Sequence, residues 1–229
     1  MNAWFQAHSL LCLLTLAALG TVFWVWTQRE RLSLRLPWVI LLSLLHVAVG
    51  VCCVKAFAAL EAGSLSAAGN MSLFGAVFFL PLFYWLVAKL GKRKTAEVFD
   101  VFVVPMIFTL ACARVNCLFS GCCLGLPISG TSLRWPTREA ELLYYAVILF
   151  FFVRKTLRGK TDGTLYPIYM ISYGILRFFL EFLRVSPTHT LFHLSHLWAL
   201  LCLLTGLSFL WQKQQKQRPR KQPSRRRNK

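Results

Sequence analysis

Apolar stretches separated by short polar segments run along almost the whole chain. A helix needs about 20 apolar residues to cross a bilayer. We predict seven spans, at residues 9–26, 36–60, 73–88, 98–119, 140–153, 164–183 and 194–211. A backbone inside a membrane must satisfy its own hydrogen bonds, which helices do. The pattern therefore predicts an all-α, polytopic integral membrane protein.

Most positive charges lie between these stretches rather than inside them. Twenty of the 26 Lys and Arg residues fall into four segments, namely Arg29 to Arg35, Lys89 to Lys94, Arg154 to Lys160, and Lys213 to Lys229. Loops that retain Lys and Arg are cytoplasmic by the positive-inside rule. With seven spans, this pattern predicts an N-terminus outside and a C-terminus in the cytoplasm.

Composition supports the membrane interpretation and changes how the net charge is understood. The 229 residues are 57% hydrophobic and only 15% charged, which is too apolar for an ordinary soluble domain. A formal charge of +18 is typical of nucleic-acid binding. Nine of the positive charges, however, lie in one tail, which we interpret as a disordered segment touching anionic lipid. We therefore predict one membrane domain at 1–211, a basic disordered tail at 212–229, and no nucleic-acid partner.

Six cations are left outside the basic loops, namely Lys55, Arg114, Arg134, Arg138, Arg177 and Arg184. A cation in an apolar span is costly unless it is paired or functional. Tyr173, Arg177, Glu181 and Arg184 are spaced by four, four and three residues, so they share one helix face, within an arc of about 80°. Arg177 lies about 18 Å from the start of its span, near the bilayer midplane.

This polar face has two interpretations. Arg177 can pair with Glu181, and Arg184 can complete a ladder, as a buried network that only fixes helix packing. Alternatively, the face belongs to a substrate site, because intramembrane charges commonly mark substrate paths. Arg114 lies about 22 Å into the fourth span. Two deep arginines on different helices favour an anion between them, such as a phospholipid phosphate, although Arg114 alone is also explained by snorkelling to the outer interface.

Three cysteines follow Arg114 in a segment that stops being helical at its glycines. Cys117, Cys122 and Cys123 predict, with Gly121, a compact re-entrant or interfacial loop. The sequence is compatible with three roles for these cysteines. They could bind zinc, form a disulfide on the oxidising outer face, or provide a reactive thiolate beside Arg114. Their spacing matches no standard zinc pattern, so the sequence predicts no metal here.

These two segments also resemble a known family. Residues 114–125 resemble the Arg-x-Gly-Asn-x-x-Asn-Gly-Glu-x-x-Gly signature of the prolipoprotein diacylglyceryl transferases, which are seven-span bacterial enzymes. Residues 173–184 resemble that family's Tyr-Gly-x-x-Arg-x-x-x-Glu-x-x-Arg helix, and this second match is nearly complete. Further similar positions are Gly69 to Gly75, Asp100, Pro105, Pro136, Thr137 and Glu141.

The resemblance implies transfer of a diacylglyceryl group from phosphatidylglycerol to the lipobox cysteine of a prolipoprotein, in the bacterial cytoplasmic (inner) membrane. Glycerol phosphate leaves and a thioether forms, with no cofactor required. Arg114 and Arg177 would be the catalytic residues that hold the lipid phosphate. The implied substrate-binding residues are Tyr173, Glu181, Arg184, Gly121, Gly125 and Glu141. The implied partners are phosphatidylglycerol, the lipobox segment and membrane lipids.

The chain departs from the family pattern at several polar positions. Phe74 stands where the pattern has a histidine in the third span, and Cys122 stands where it has a glutamate. The other replaced positions are Cys117, Ser120, Trp135 and Arg138. Three interpretations stay open: a divergent transferase that relies on its arginines, a catalytically impaired lipid- or lipoprotein-binding relative, and a cysteine-dependent lipid or acyl transferase with a changed substrate.

Overall fold

Seven α-helices form the described part of the protein. The computed structural model describes residues 3–66, 71–159, 162–185 and 192–217, and no β-strand occurs within these ranges. The helices are α1 (Ala3–Thr27), α2 (Leu36–Ala62), α3 (Phe74–Leu90), α4 (Thr95–Ser120), α5 (Thr137–Leu157), α6 (Leu165–Phe182) and α7 (Leu194–Gln217). Each coincides with one predicted apolar stretch, so the predicted all-helical fold is confirmed.

The end of α7 differs from the predicted domain boundary. The sequence predicts a disordered tail from residue 212, but α7 continues to Gln217. Residues 212–217 are therefore helical, because a helix that is apolar up to residue 211 extends through the adjacent Gln- and Lys-rich turn without a glycine or proline to stop it. The rest of the predicted tail, 218–229, lies outside the described residues.

The outer surface is apolar enough to face lipid. Large hydrophobic side chains point outward on several helices, including Phe23 (69% exposed), Leu82 (66%) and Phe179 (64%). Four helical segments are long and apolar enough to cross a membrane, namely His8–Thr27, Leu36–Ala62, Thr95–Ser120 and Leu194–Lys216. Helix α3 is apolar but shorter, with 17 residues. These features are those of a membrane protein, in which the bilayer solvates the outer faces.

Helix α4 lies at the centre of the bundle. It packs against α1, α3, α5 and α6, while α2 packs between α1 and α3, and α7 packs along α6. In the most apolar window of α4, 67% of the residues are buried, against 22–33% in the other three long apolar helices. Residues on α4 are thus surrounded by protein, and polar groups on this helix must find protein partners.

Asp100, near the start of α4, shows how such a partner is found. Its Oδ2 atom accepts a hydrogen bond from the Gly163 amide at 2.7 Å, and its Oδ1 atom accepts one from the Leu165 amide at 3.0 Å. Leu165 is the first residue of α6. The carboxylate therefore satisfies two amides at the helix N-terminus, where negative charge is also favoured by the helix dipole. This contact sets the position of α6 against α4.

Replacing Asp100 with alanine tests this contact. Asp100→Ala leaves the Gly163 and Leu165 amides without their acceptor, so we expect the free energy of unfolding to fall by about 1–3 kcal/mol. Reversible unfolding in mixed micelles, followed by circular dichroism, measures the change. The control is Glu30→Ala, which removes an 89% exposed carboxylate. Equal stability of the Asp100 and Glu30 variants would contradict the assigned role.

Candidate functional site

Glu141 joins three helices through two buried ion pairs. Its Oε1 atom lies 2.9 Å from Arg114 Nε on α4, and its Oε2 atom lies 3.3 Å from Arg177 Nη1 on α6. The Tyr145 hydroxyl donates a further hydrogen bond to Oε1 at 3.0 Å. The side chains of Glu141, Arg114 and Arg177 are only 2%, 5% and 6% exposed. A charge buried to this degree must be paired, and here each one is.

The ladder predicted on α6 is present. Arg177 Nη2 lies 3.1 Å from Glu181 Oε2, one helical turn on, and Arg184 Nη1 lies 3.9 Å from the same oxygen. Arg184 is 25% exposed, whereas Glu181 is 9% exposed. The spacing of four and three residues therefore produced the pairing that it predicted, and the ladder leads from the buried Arg177 towards the surface.

The space between the two deep arginines holds a residue of the protein itself. The sequence predicted an external anion between Arg114 and Arg177, but the carboxylate of Glu141 occupies that place. Sequence reasoning missed this contact because Glu141 lies on a different helix, 36 residues from Arg177. An external anion must therefore use the guanidinium nitrogens that Glu141 leaves available.

A pocket beside this cluster collects four guanidinium groups. Its lining residues are Arg114, Arg138, Arg177, Arg184, Glu141, Thr137, Cys123 and Leu180. Two carboxylates, Glu141 and Glu181, pair with Arg114, Arg177 and Arg184, which leaves one positive charge in excess. Arg138 also pairs with the half-exposed Glu139, at 3.5 Å. The sequence singled out Arg138 as an unexplained cation and as a departure from the family pattern, and the structure places it in the pocket from the first turn of α5.

That loop, residues 121–136, folds back over the ends of α4, α5 and α6. Gly121 ends α4 in the left-handed conformation, with φ +68°. The loop then pairs with the chain after α6, where the Leu126 amide donates to the Leu183 carbonyl at 2.8 Å. A Cβ atom on Gly125 would lie 2.0 Å from the Trp135 carbonyl oxygen, so the hairpin requires glycine there.

The two glycines and Tyr173 stand outside the pocket lining. Gly125 forms a backbone bridge with Arg184, but neither Gly121 nor Gly125 is among the described residues that line the pocket. Tyr173 is fully buried and stacks on Tyr169, with ring centroids 5.5 Å apart. The resemblance implied that these three residues bind substrate. In the structure they lie near the pocket but do not line it.

Phe74 occupies the position at which the family pattern predicts a histidine. Its ring centroid lies 5.4 Å from the Arg177 Cζ atom, in a cation–π contact, and 5.8 Å from the Tyr173 ring. A phenyl ring cannot accept or donate a proton. Phe74 therefore forms an apolar wall against the arginine cluster instead of supplying an acid or base.

The three cysteines of the α4–α5 loop lie together. The sulfur atoms of Cys117, Cys122 and Cys123 are all within 4.8 Å of one another, and all three thiols are free. Arg184 Nη2 donates to Cys123 Sγ at 2.8 Å. The hydrogen bond from Cys117, together with the positive charges of Arg184 and Arg114, lowers the pKa of the Cys123 thiol. Cys123 also lines the pocket.

Two further features were missed in the sequence. Glu61 on α2 is half-buried near Ser72, and the charges of Arg177 and Glu181 act on its carboxylate. Its only signal in the sequence was an isolated acid at the end of an apolar stretch. In addition, α1 to α4 enclose an apolar cavity of about 50 Å³, whose lining includes Leu73 and Ala113. These residues directly precede Phe74 and Arg114 in the sequence.

Known proteins match the chain over most of its length. The family model for prolipoprotein diacylglyceryl transferase matches residues 10–212. Three relatives are named phosphatidylglycerol--prolipoprotein diacylglyceryl transferase. The one from Dehalococcoides mccartyi is 22% identical over 233 residues, covering 90% of this chain and 89% of its own. The one from Chlorobaculum tepidum is 26% identical over 171 residues (66% and 58%), and that from Cupriavidus metallidurans 30% over 135 residues (51% and 47%).

A Glu141→Gln substitution tests the central carboxylate. The amide keeps the shape of the side chain but leaves Arg114 and Arg177 with an uncompensated buried charge, so we expect about 3–5 kcal/mol of destabilisation. Unfolding of the purified variant in mixed micelles measures the loss. The matched control is Glu139→Gln, two residues away, whose carboxylate is 49% exposed. Similar unfolding curves for the two variants would rule out Glu141 as the buried link.

Proposed function

Because the chain belongs to the prolipoprotein diacylglyceryl transferase family, we propose that it transfers a diacylglyceryl group from phosphatidylglycerol to the lipobox cysteine of a prolipoprotein. The sulfur of the acceptor forms a bond to the glyceryl CH₂ carbon, while the bond from that carbon to the phosphate oxygen breaks. The electron pair leaves with glycerol phosphate, and the thiol proton passes to solvent. The observation that supports this proposal is the pocket lined by four guanidinium groups.

The charge balance of the pocket fits the leaving group. The phosphodiester of phosphatidylglycerol carries one negative charge, and a second develops on the phosphate as the carbon–oxygen bond breaks. The positive charge left in excess in the arginine cluster, together with its guanidinium donors, stabilises that final state. Donors placed in advance where charge develops lower the barrier, because they stabilise the transition state more than the substrate. In this proposal Arg114 and Arg177 bind the phosphate, and Arg184 and Arg138 complete the site.

Two carboxylates act as positioning groups. Glu141 pairs with the Nε atom of Arg114 and the Nη1 atom of Arg177, and Glu181 pairs with the Nη2 atom of Arg177. A guanidinium has five N–H donors in a rigid plane, so fixing one edge directs the remaining donors. The carboxylates therefore aim the arginines towards the pocket and do not contact the reacting atoms.

The membrane arrangement follows from the same proposal. All seven helices span the bilayer, with the basic loops and C-terminus in the cytoplasm, the N-terminus outside, and the protein in the bacterial inner membrane. The four apolar segments identified above are the clearest spans. Phosphatidylglycerol enters sideways between helices, with its acyl chains against the exposed apolar faces of the helices. The basic tail contacts anionic membrane lipid.

Two further functions are each favoured by one residue. Phe74, in place of a histidine, favours a relative that binds lipid or lipoprotein without turnover, because the position offers no proton acceptor. Cys123, which lines the pocket beside Arg184, favours a cysteine-dependent lipid or acyl transferase with a changed substrate. The activity measurement below separates both from the proposed reaction.

The purified protein in detergent, given phosphatidylglycerol and a lipobox peptide, should release glycerol phosphate and increase the peptide mass by one diacylglyceryl group. Arg177→Gln should lower the rate at least about 100-fold, because it removes a charge-assisted donor from the transition state. Mass spectrometry of the peptide measures the product. The matched control is Arg93→Gln, in the exposed loop between α3 and α4, which should retain the wild-type rate.

Two outcomes would count against the proposal. If the wild-type protein forms no thioether beside an active relative but still binds phosphatidylglycerol, the lipid-binding function replaces the transferase function. If Arg177→Gln remains folded and fully active, the arginine cluster is not the phosphate site. Unfolding of each variant, recorded in the same detergent, separates loss of catalysis from loss of structure.

A further inference from the structure

The cysteine cluster has the dimensions of a metal site. Tetrahedral zinc binds cysteine sulfur at about 2.3 Å, which places two sulfur ligands about 3.8 Å apart. The three sulfur atoms of Cys117, Cys122 and Cys123 already lie within 4.8 Å of one another, so shifts of about an ångström bring them to one ion. Cys117 belongs to the last turn of α4, and Cys122 and Cys123 belong to the loop after it. The sequence spacing predicted no metal, because the turn at Gly121 that brings the sulfurs together is not part of a standard motif.

Arginines around the cluster favour its anionic form. Arg184 Nη2 lies 2.8 Å from Cys123 Sγ, and Arg114 Nη1 lies 4.0 Å from Cys117 Sγ. Three thiolates and one zinc ion carry a net charge of −1, which these guanidinium groups offset. Donors in the outer shell also orient metal ligands. A disulfide between two of these cysteines carries no charge. Because the arginines interact more favourably with negative groups, they favour three thiolates over a disulfide.

The cluster supplies three of the four ligands of a tetrahedral zinc site. Within the part of the chain that the structure describes, no fourth His, Cys, Asp or Glu belongs to the cluster. Zinc sites with three protein ligands use the fourth position for water or substrate, whereas structural zinc sites have four protein ligands. Cys123 lines the same pocket as Arg114 and Arg177, so a fourth ligand would lie beside the proposed phosphate site.

We propose that Cys117, Cys122 and Cys123 bind a zinc ion whose fourth position takes the sulfur of the acceptor cysteine. A thiol that coordinates zinc is deprotonated. The acceptor thiol thus gives its proton to the buffer on binding. The sulfur then forms its bond to the glyceryl carbon and leaves the zinc as glycerol phosphate departs, with no change in the oxidation state of the metal. This inference rests on the proposed transferase function and supplies the thiol activation that Phe74 cannot.

Metal binding is tested first, without turnover. The full-length protein is reduced in detergent, freed of metal, and titrated with zinc, and elemental analysis should find one ion per chain. Cobalt in place of zinc should give sulfur-to-metal charge-transfer absorption. Cys117→Ser, Cys122→Ser and Cys123→Ser should each abolish tight binding, and Cys52→Ser, on the exposed face of α2, should leave it unchanged. Arg184→Gln keeps all three ligands and should weaken zinc binding about 10- to 100-fold.

The fourth position is tested with the cobalt-loaded protein. A lipobox peptide should change the visible cobalt spectrum as a fourth thiolate binds, and the same peptide with serine in place of cysteine should not. Failure of the reduced wild-type protein to bind zinc stoichiometrically would overturn the site. So would a disulfide between any two of the three cysteines in protein alkylated directly from cells. If adding the cysteine peptide leaves the visible cobalt spectrum unchanged, the fourth position does not bind the acceptor sulfur.

The outcomes separate this inference from the proposed function. If the metal-free protein forms thioether as fast as the zinc-loaded protein, the zinc inference is wrong and the transferase function stands. If the zinc-loaded protein binds the cysteine peptide but forms no thioether beside an active relative, the transferase function is wrong and the metal site stands as a thiol-binding site. Thioether formation that requires zinc supports both.

Discussion

The carboxylate of Glu141 is the constraint on which the rest of the site depends. It is buried between Arg114 and Arg177, and each ion pair joins α5 to a different helix. Removing charges from water is expensive, and only close pairing offsets that cost. The arginines therefore cannot be separated from Glu141 without leaving a buried charge, so the ends of α4, α5 and α6 are held in one arrangement.

A pocket for an anion follows from this arrangement. Glu141 and Glu181 neutralise only part of the charge of the four arginines, and the remainder faces one pocket. The same carboxylates hold the guanidinium planes in fixed orientations, which is how a buried site avoids reorganising its donors during a reaction. The cluster is thus both a packing element and a charged site, and the two interpretations of the polar face on α6 are not exclusive.

The α4–α5 loop connects this charged site to the cysteines. Its left-handed turn at Gly121 and its close backbone contact at Gly125 fold it over the helix ends. That fold places Cys123 against Arg184, so the thiols and the arginines share one electrostatic environment. Phe74 places its aromatic face against Arg177. Phe74 and the cysteine-containing loop therefore both contact the arginine cluster.

The sequence by itself determined the class of fold, because hydrophobic length and the placement of Lys and Arg depend on neighbouring residues along the chain. It also determined the Arg177–Glu181 pair, since residues four apart on one helix are adjacent in space. Only the tertiary structure decided that Glu141 fills the space between Arg114 and Arg177, that Arg138 joins the pocket, and that three sulfur atoms converge. Each of these contacts joins separate helices or crosses an irregular loop, and a local pattern of residues carries no information about which helix ends meet.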